Sequence, residues 1–126
     1  MRIYLVEEEN IVKRIIRDFL TELGHEVVVI NVPYNLPDSL SKNLHPVDLI
    51  IMDFPATDRE TTVRMIRELH ERRPEIPFVL RASSVVLSAD EAVQCGVYAY
   101  LHKPVRLAEL ELLLTRLSER RSSRLS

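Results

Sequence analysis

The sequence has one cysteine, two glycines and no tryptophan among its 126 residues. Cys95 alone excludes an internal disulfide and a metal site built from several cysteines, which suits a reducing compartment. Two glycines are too few for a dinucleotide-binding fingerprint. Apolar runs near the roughly 20 residues of a membrane span are also missing, and the first residues lead into a strand pattern rather than a signal peptide. We therefore expect a cytoplasmic protein that does not enter a membrane.

The sequence also has no large excess of positive or negative charge, because the formal net charge is -2 at pH 7. Such a balance gives no global attraction to nucleic acid or anionic lipid. The exception is a late cluster of basic residues, namely Arg116, Arg120, Arg121 and Arg124. We interpret this cluster as a solvated helix end that runs into a linker, and we expect no direct contact with nucleic acid. The predicted organisation is one domain at 1–119 and a basic, serine-containing tail at 120–126.

Five short apolar runs predict five buried strands. They are Ile3–Val6, Val27–Ile30, Val47–Met52, Ile76–Leu80 and Val97–Leu101. The runs are apolar nearly throughout rather than alternating, which predicts a parallel sheet covered on both faces. Strands that alternate with helices favour a flavodoxin-like, doubly wound α/β fold with strand order 2-1-3-4-5 and helices on both faces.

Helices are expected after each strand, and several have boundary signals. These signals are Asn10 and Gly24 for the first helix, Thr57 and Glu60 for the third, and Ser88, Glu91 and Gly96 for the fourth. The first helix should bury one apolar face between Ile11 and Leu23. Prolines confine the second helix to Asp38–Leu44, and a leucine stripe from Leu107 to Leu117 marks the last.

Charged residues gather where three predicted strands end. Strand one runs into Glu7–Glu9, strand three ends at Asp53, and strand five runs into Lys103 and Pro104. Ligands of this fold class bind outside the carboxyl ends of the strands. Converging carboxylates repel one another, and a hard divalent cation such as Mg²⁺ relieves that repulsion. A carboxylate beside Mg²⁺ and a lysine can attack a phosphoryl donor, because both cations neutralise charge on the transferring group.

The sequence resembles the receiver domains of bacterial response regulators over residues 2–119. The motifs that carry the resemblance are Ile3–Glu8, Asp48–Asp53 and Gly96–Pro104, of which the last is the most specific. The resemblance implies a phosphorelay module that is controlled by a histidine kinase or another signalling protein. It implies no enzyme activity beyond self-catalysed phosphoryl transfer.

The resemblance also assigns roles to the residues at the strand ends. Asp53 would be the phosphoacceptor, and Lys103 would contact the phosphoryl group. Glu7, Glu8 and Asp53 would hold Mg²⁺ together with the backbone carbonyl of Pro55. Because the family usually has at least one aspartate in the acidic pair, the two longer glutamates predict weak or absent Mg²⁺ binding.

Further roles follow from the same resemblance. The peptide bond that precedes Pro104 would be cis, and Tyr100 would be the aromatic residue that moves on activation. The fourth helix, fifth strand and fifth helix would form the signalling face, which could also pair two copies in a homodimer. An apolar stretch at Val85–Leu87, beside the fourth helix, either folds inward or extends this face.

Strand four departs from the family pattern, because the hydroxyl that ordinarily ends it is missing. Counting back from the glycine after the fourth helix places Arg81 at this pocket edge, whereas counting forward from the preceding proline places Ala82 there. Ser83 or Ser84 supplies a hydroxyl if the loop bulges. We expect Arg81 to reach Asp53 or the acidic pair, or else to point to solvent. The departures support a second hypothesis, a pseudo-receiver that binds proteins independently of phosphorylation.

Overall fold

The computed structural model describes residues 1–7, 9–30, 46–53, 59–82, 87–104 and 106–125. The strands are β1 (Arg2–Val6), β2 (Glu26–Ile30), β3 (Leu49–Asp53), β4 (Phe78–Ala82) and β5 (Ala99–His102). The helices are α1 (Asn10–Glu22), α2 (Arg59–Arg72), α3 (Ala89–Cys95) and α4 (Leu107–Leu125). The expected helix at Asp38–Leu44 lies outside the described residues, so α3 and α4 correspond to the predicted fourth and fifth helices.

All five strands form one parallel sheet with the order β2-β1-β3-β4-β5. This confirms the predicted doubly wound α/β fold. The last three strands begin two residues later than the apolar runs suggested, because Val47, Ile76 and Val97 are buried just outside the sheet.

The sheet carries a hydrophobic core on each face, which is why its strands are apolar at successive positions. On one face, strand residues pack with helices α1 and α4, in a cluster that includes Leu5, Ile51, Val79, Ile16, Leu20, Leu110 and Leu114. On the other, they pack with α2 and α3, in a cluster that includes Val6, Met52, Leu80, Ile66, Leu69 and Ala92. Two-sided burial thus fixes which strand residues face which helices.

The start of α1 differs from the prediction. Asn10 is the first helical residue, and Glu9 occupies the cap position without a side-chain capping bond, so the prediction of an Asn10 cap was wrong. The buried face of α1 is also narrower than the predicted apolar face. Ile16 is fully buried, whereas Ile11 is 72% exposed and Ile15 is 46% exposed. The apolar stripe is therefore wider than the contact that α1 makes with the sheet.

The capping of α3 agrees with the sequence pattern. The Ser88 side chain accepts a hydrogen bond from the Glu91 amide, and the Glu91 carboxylate accepts one from the Ser88 amide. Gly96 ends the helix with a φ of 111°, in the left-handed region that glycine adopts without strain. The corresponding threonine predicted before α2, Thr57, lies outside the described residues.

Helix α4 continues past residue 119 to Leu125, so most of the predicted tail is helical. Its end is held by an ion pair of 2.8 Å between Arg121 Nη1 and Asp48 Oδ1, and the Arg120 guanidinium lies 5.3 Å from the centre of the Tyr98 ring. The division of the chain at residue 119 stays a prediction. No helix in the described ranges combines the length and the apolar character needed to cross a membrane.

Candidate functional site

The charged residues at the strand ends meet at the carboxyl edge of the sheet. Glu7 follows β1, Asp53 ends β3, Arg81 lies next to the last residue of β4, and Lys103 follows β5. Asp53 and Arg81 are direct partners in the β3–β4 register. Parallel strands therefore bring four ionisable side chains from distant parts of the sequence to one edge, where ligands of this fold class bind.

Asp53 is paired with Lys103 at the mouth of the site. The Lys103 Nζ atom lies 2.7 Å from Asp53 Oδ1, with 38% of the lysine side chain and 10% of the aspartate side chain exposed. The contact is an ion pair without hydrogen-bond alignment, since Oδ1 has no hydrogen-bond partner. A carboxylate oxygen thus lies beside a partly solvated ammonium group.

Arg81 and Glu7 form a second, deeper ion pair. The distance from Arg81 Nη1 to Glu7 Oε2 is 2.5 Å, and 4% of the arginine and 1% of the glutamate side chain are exposed. The other carboxylate oxygen of Glu7 accepts the Glu9 backbone N–H at 3.3 Å. The expected contact between Arg81 and the acidic pair is therefore present, and the alternative of a solvent-facing Arg81 is wrong.

Burial raises the pKa of Glu7 to about 7, and the neighbouring Asp53 carboxyl adds to the increase by hydrogen bonding and by charge repulsion. Arg81 and the Glu9 amide act in the opposite direction, but they do not outweigh burial. Glu7 and Asp53 directly follow Val6 and Met52, which are partners in the β1–β3 register, so these carboxyls lie close together.

Other predicted residues are placed less fully. Ala82 is the last residue of β4 and pairs with His102, which leaves the pocket-edge position beside Asp53 to Arg81. The remaining predicted site and loop residues, Glu8, Pro55, Ser83, Ser84, Val85 and Val86, lie outside the described residues. Their roles stay predictions.

Tyr100 is half-buried on β5, and its hydroxyl donates to the backbone carbonyl of Leu87 at 2.9 Å. Burial raises its pKa. Leu87 immediately precedes the Ser88 cap of α3, so this bond ties the sheet to the start of that helix. Sequence reasoning missed the Leu87 carbonyl, because a backbone acceptor has no side-chain signal. The Lys103–Pro104 peptide bond is cis, as the resemblance implied.

The carboxylates have the hard oxygen donors that Mg²⁺ prefers, but the described ones are already engaged. Arg81 and the Glu9 amide bind the two oxygens of Glu7, and Lys103 is paired with Asp53. Within the described ranges, no group of three or more metal-ligating side chains could hold an ion. The described arrangement therefore does not fit Mg²⁺ unless the ion displaces Arg81 from Glu7.

Comparisons with known proteins agree with this fold. A family model described as the response regulator receiver domain matches residues 3–115. The regulatory protein AtoC of Escherichia coli (strain K12) is 28% identical over 116 residues, which cover 91% of this chain and 24% of AtoC. The chain spans less than a third of the curated relatives that it matches.

Two solved receiver domains have the same architecture. The receiver domain of the response regulator TorR is 26% identical, with a TM-score of 0.79, and the match covers 94% of this chain and 97% of that one. The receiver domain of the sensor histidine kinase PA1611 from Pseudomonas aeruginosa PAO1 is 27% identical, with a TM-score of 0.69 and coverages of 92% and 95%. That structure is described as having a magnesium ion coordinated in its active site cleft.

Proposed function

Because this chain belongs to the family of response regulator receiver domains, we propose that it is a two-component signalling module whose Asp53 accepts a phosphoryl group. The observation that carries the proposal is the Asp53–Lys103 pair of 2.7 Å at the carboxyl edge of the sheet. The pair joins a nucleophilic carboxylate to a cation that can contact the incoming phosphoryl oxygens. The donor is the phosphohistidine of a histidine kinase or of another phosphorelay protein.

In the proposed transfer, a carboxylate oxygen of Asp53 attacks the phosphorus atom. A P–O bond forms, the P–N bond to the donor histidine breaks, and the departing imidazole takes a proton from water. Lys103 neutralises charge on the transferring group, which is the main contribution that side chains make to phosphoryl transfer. The activity proposed for this domain is therefore self-catalysed phosphorylation of Asp53.

Mg²⁺ binding by Glu7, Glu8, Asp53 and the Pro55 carbonyl remains part of the proposal, as weak binding. A divalent ion has to displace Arg81 from Glu7 and fix glutamate side chains that lose rotamer freedom. The magnesium in the PA1611 receiver domain is the reason to test the ion here. No step described above passes through a metal.

The proposed signalling face consists of α3, β5 and α4. Val93 on α3 is 57% exposed and Leu112 on α4 is 52% exposed, and apolar side chains on these helices suit a protein partner or a second copy of the chain. Val93→Asp should weaken self-association or kinase binding in sedimentation and pull-down assays. Ile11→Asp on α1 is the matched control, because Ile11 is a similarly exposed apolar residue elsewhere. An effect of Ile11→Asp alone would contradict this face.

The test of the phosphoacceptor is intact-mass measurement after incubation with acetyl phosphate, with and without Mg²⁺. The expected result is the addition of one phosphoryl group to the parent protein and none to Asp53→Asn. Equal labelling of both proteins would place the modification elsewhere and refute the role of Asp53. We place this transfer in the cytoplasm, where the sequence predicts the protein to be.

The second candidate function is a pseudo-receiver that binds a partner without phosphorylation. The specific observation in its favour is the Arg81–Glu7 pair, which fills the acidic pocket where the family has a hydroxyl. If neither acetyl phosphate nor a phosphorylated kinase labels Asp53, and Asp53→Asn binds its partner as the parent does, the pseudo-receiver is the correct description.

A further inference from the structure

Arg81 is a buried cation with unused binding capacity. The residue is 3% exposed, and its Nε atom, which is also buried, has no hydrogen-bond partner. Its side-chain bond in the described part of the chain runs from Nη1 to Glu7. Removing a charge and a donor from water is costly unless both are compensated, so such an atom is informative where it occurs next to a candidate site.

The position of Arg81 connects it to the phosphoacceptor. Arg81 and Asp53 are partners in adjacent parallel strands, so their side chains leave the sheet on the same face. Glu7 joins the two, because it is ion-paired with Arg81 and follows Val6, the β1 partner of the residue that precedes Asp53. The guanidinium therefore belongs to the same charged cluster as the carboxylate that is proposed to be phosphorylated.

The described cluster is balanced in charge without a metal. Glu7 and Asp53 supply the two carboxyls, and Arg81 and Lys103 supply the two cations. An arginine side chain stays charged at every physiological pH, and its planar group binds carboxylate and phosphate through several N–H donors. Mg²⁺ would add two charges to a pocket whose described acidic residues, Glu7 and Asp53, are already paired with cations.

We propose that Arg81 is the resident counter-ion of this site, which neutralises Glu7 in place of a divalent metal and donates its free Nε–H to the phosphoryl group once Asp53 is modified. The second half of this inference rests on the proposed function, whereas the first half does not. A receiver domain with such a counter-ion accepts phosphoryl groups independently of Mg²⁺.

The first experiment measures Mg²⁺ binding and needs no phosphorylation. The parent, Arg81→Gln, Arg81→Lys and the control Arg64→Gln are titrated with MgCl₂ and followed by calorimetry and thermal unfolding. Arg64 is an exposed arginine that pairs with Glu60 on α2, away from the strand ends. Only Arg81→Gln should gain saturable Mg²⁺ binding and a rise in melting temperature. Equal Mg²⁺ affinity of the parent and Arg81→Gln would overturn the proposal that Arg81 is the resident counter-ion.

The second experiment measures labelling by acetyl phosphate in EDTA and in Mg²⁺. In this reaction an Asp53 oxygen bonds to phosphorus, and the P–O bond to the leaving acetate breaks. The parent should be labelled equally in both buffers. Arg81→Lys keeps the charge but lacks the Nε–H donor, so it should be labelled more slowly than the parent in both buffers. In EDTA, Arg81→Gln should be labelled about a hundredfold more slowly than the parent, because the loss of one preorganised hydrogen-bond donor typically has an effect of this size. Mg²⁺ should restore its labelling rate.

The outcomes separate this inference from the proposed function. A parent that is never labelled refutes phosphorylation at Asp53, while the Mg²⁺ titration still decides whether Arg81 is the counter-ion. Strong Mg²⁺ dependence of the parent refutes the counter-ion and leaves phosphorylation intact. If Arg81→Gln is unfolded by circular dichroism, added Mg²⁺ should refold it by taking over the charge of Arg81, and failure to refold it would overturn the inference.

Discussion

Replacing Arg81 with glutamine should destabilise the fold far more than replacing a surface arginine. The substitution breaks an ion pair whose side chains are 4% and 1% exposed, which leaves Glu7 buried without its counter-ion. Removing one partner of a buried pair costs about 3–5 kcal/mol. Domains of this size are stable by only about 5–15 kcal/mol, so the loss would be a large fraction of the total.

Protonation limits this loss. Burial already raises the pKa of Glu7 to about 7, and Arg81 acts to lower it, so removing Arg81 raises the pKa further. A carboxyl with a raised pKa in the folded state stabilises the fold most below its usual pKa of 4.5, and this stabilisation is lost as the pH rises through the folded pKa. The deficit of Arg81→Gln should therefore be largest well above pH 7, and it should shrink to a constant value below about pH 7, where Glu7 is protonated in both folded proteins.

Urea unfolding followed by circular dichroism measures the deficit at each pH. The midpoint should fall without a change in the urea dependence of the unfolding free energy, which would indicate a change in stability rather than in the compactness of either state. Adding Glu7→Gln to Arg81→Gln should recover part of the stability, because no buried charge remains. Arg64→Gln, which breaks an exposed pair within α2, should cost less than about 0.5 kcal/mol. A deficit below about 1 kcal/mol for Arg81→Gln, as for exposed pairs, would refute the reasoning.

Two further predictions concern the glycines and the end of α4. Gly24→Ala should lower the free energy of unfolding by about 1–2 kcal/mol, because of its positive φ alone. Gly96→Ala should lower it more, because the added Cβ would also lie 2.9 Å from His70 Cγ. Equal losses of stability in urea unfolding would contradict this prediction. Burial alone would raise the pKa of Asp48, but hydrogen bonds from a backbone amide and from Arg121 lower it overall. Its stabilisation should be present above pH 3.8 and lost as the pH falls through the lower folded pKa, so Asp48→Asn should destabilise at neutral pH and not in acid.

The sequence predicted the sheet because burial leaves a strong local record. Every strand of a parallel sheet covered on both faces must be apolar at successive positions, and all five apolar runs became strands. The cap of α3 was equally readable, since Ser88 and Glu91 bond to each other's backbone within one turn. Features set by a few neighbouring residues were thus accessible without coordinates.

The buried face of α1 could not be predicted from the sequence, because the pattern of apolar residues does not show which of them contact the sheet. Ile11 and Ile16 are equally apolar, yet one is 72% exposed and the other fully buried. The difference depends on where the helix crosses the strands, which is a property of packing between distant segments. Helical periodicity predicts an apolar stripe but not how much of it is covered.

The role of Arg81 could not be predicted with certainty, because it depends on the strand register. Two ways of counting along the sequence placed either Arg81 or Ala82 at the pocket edge. Successive strand residues face opposite sides of a sheet, so a shift of one position moves a side chain to the other face. Arg81 lies two residues after Val79, so both side chains leave β4 on the same face, and Val79 packs in the core under α1 and α4. Leu5, which lies two residues before Glu7, packs in the same core. Had the register placed Ala82 beside Asp53, the guanidinium would have left the sheet towards α2 and α3, on the side of Leu80. Pairing between β3 and β4, rather than any local motif, therefore determines that the acidic pocket contains its own cation.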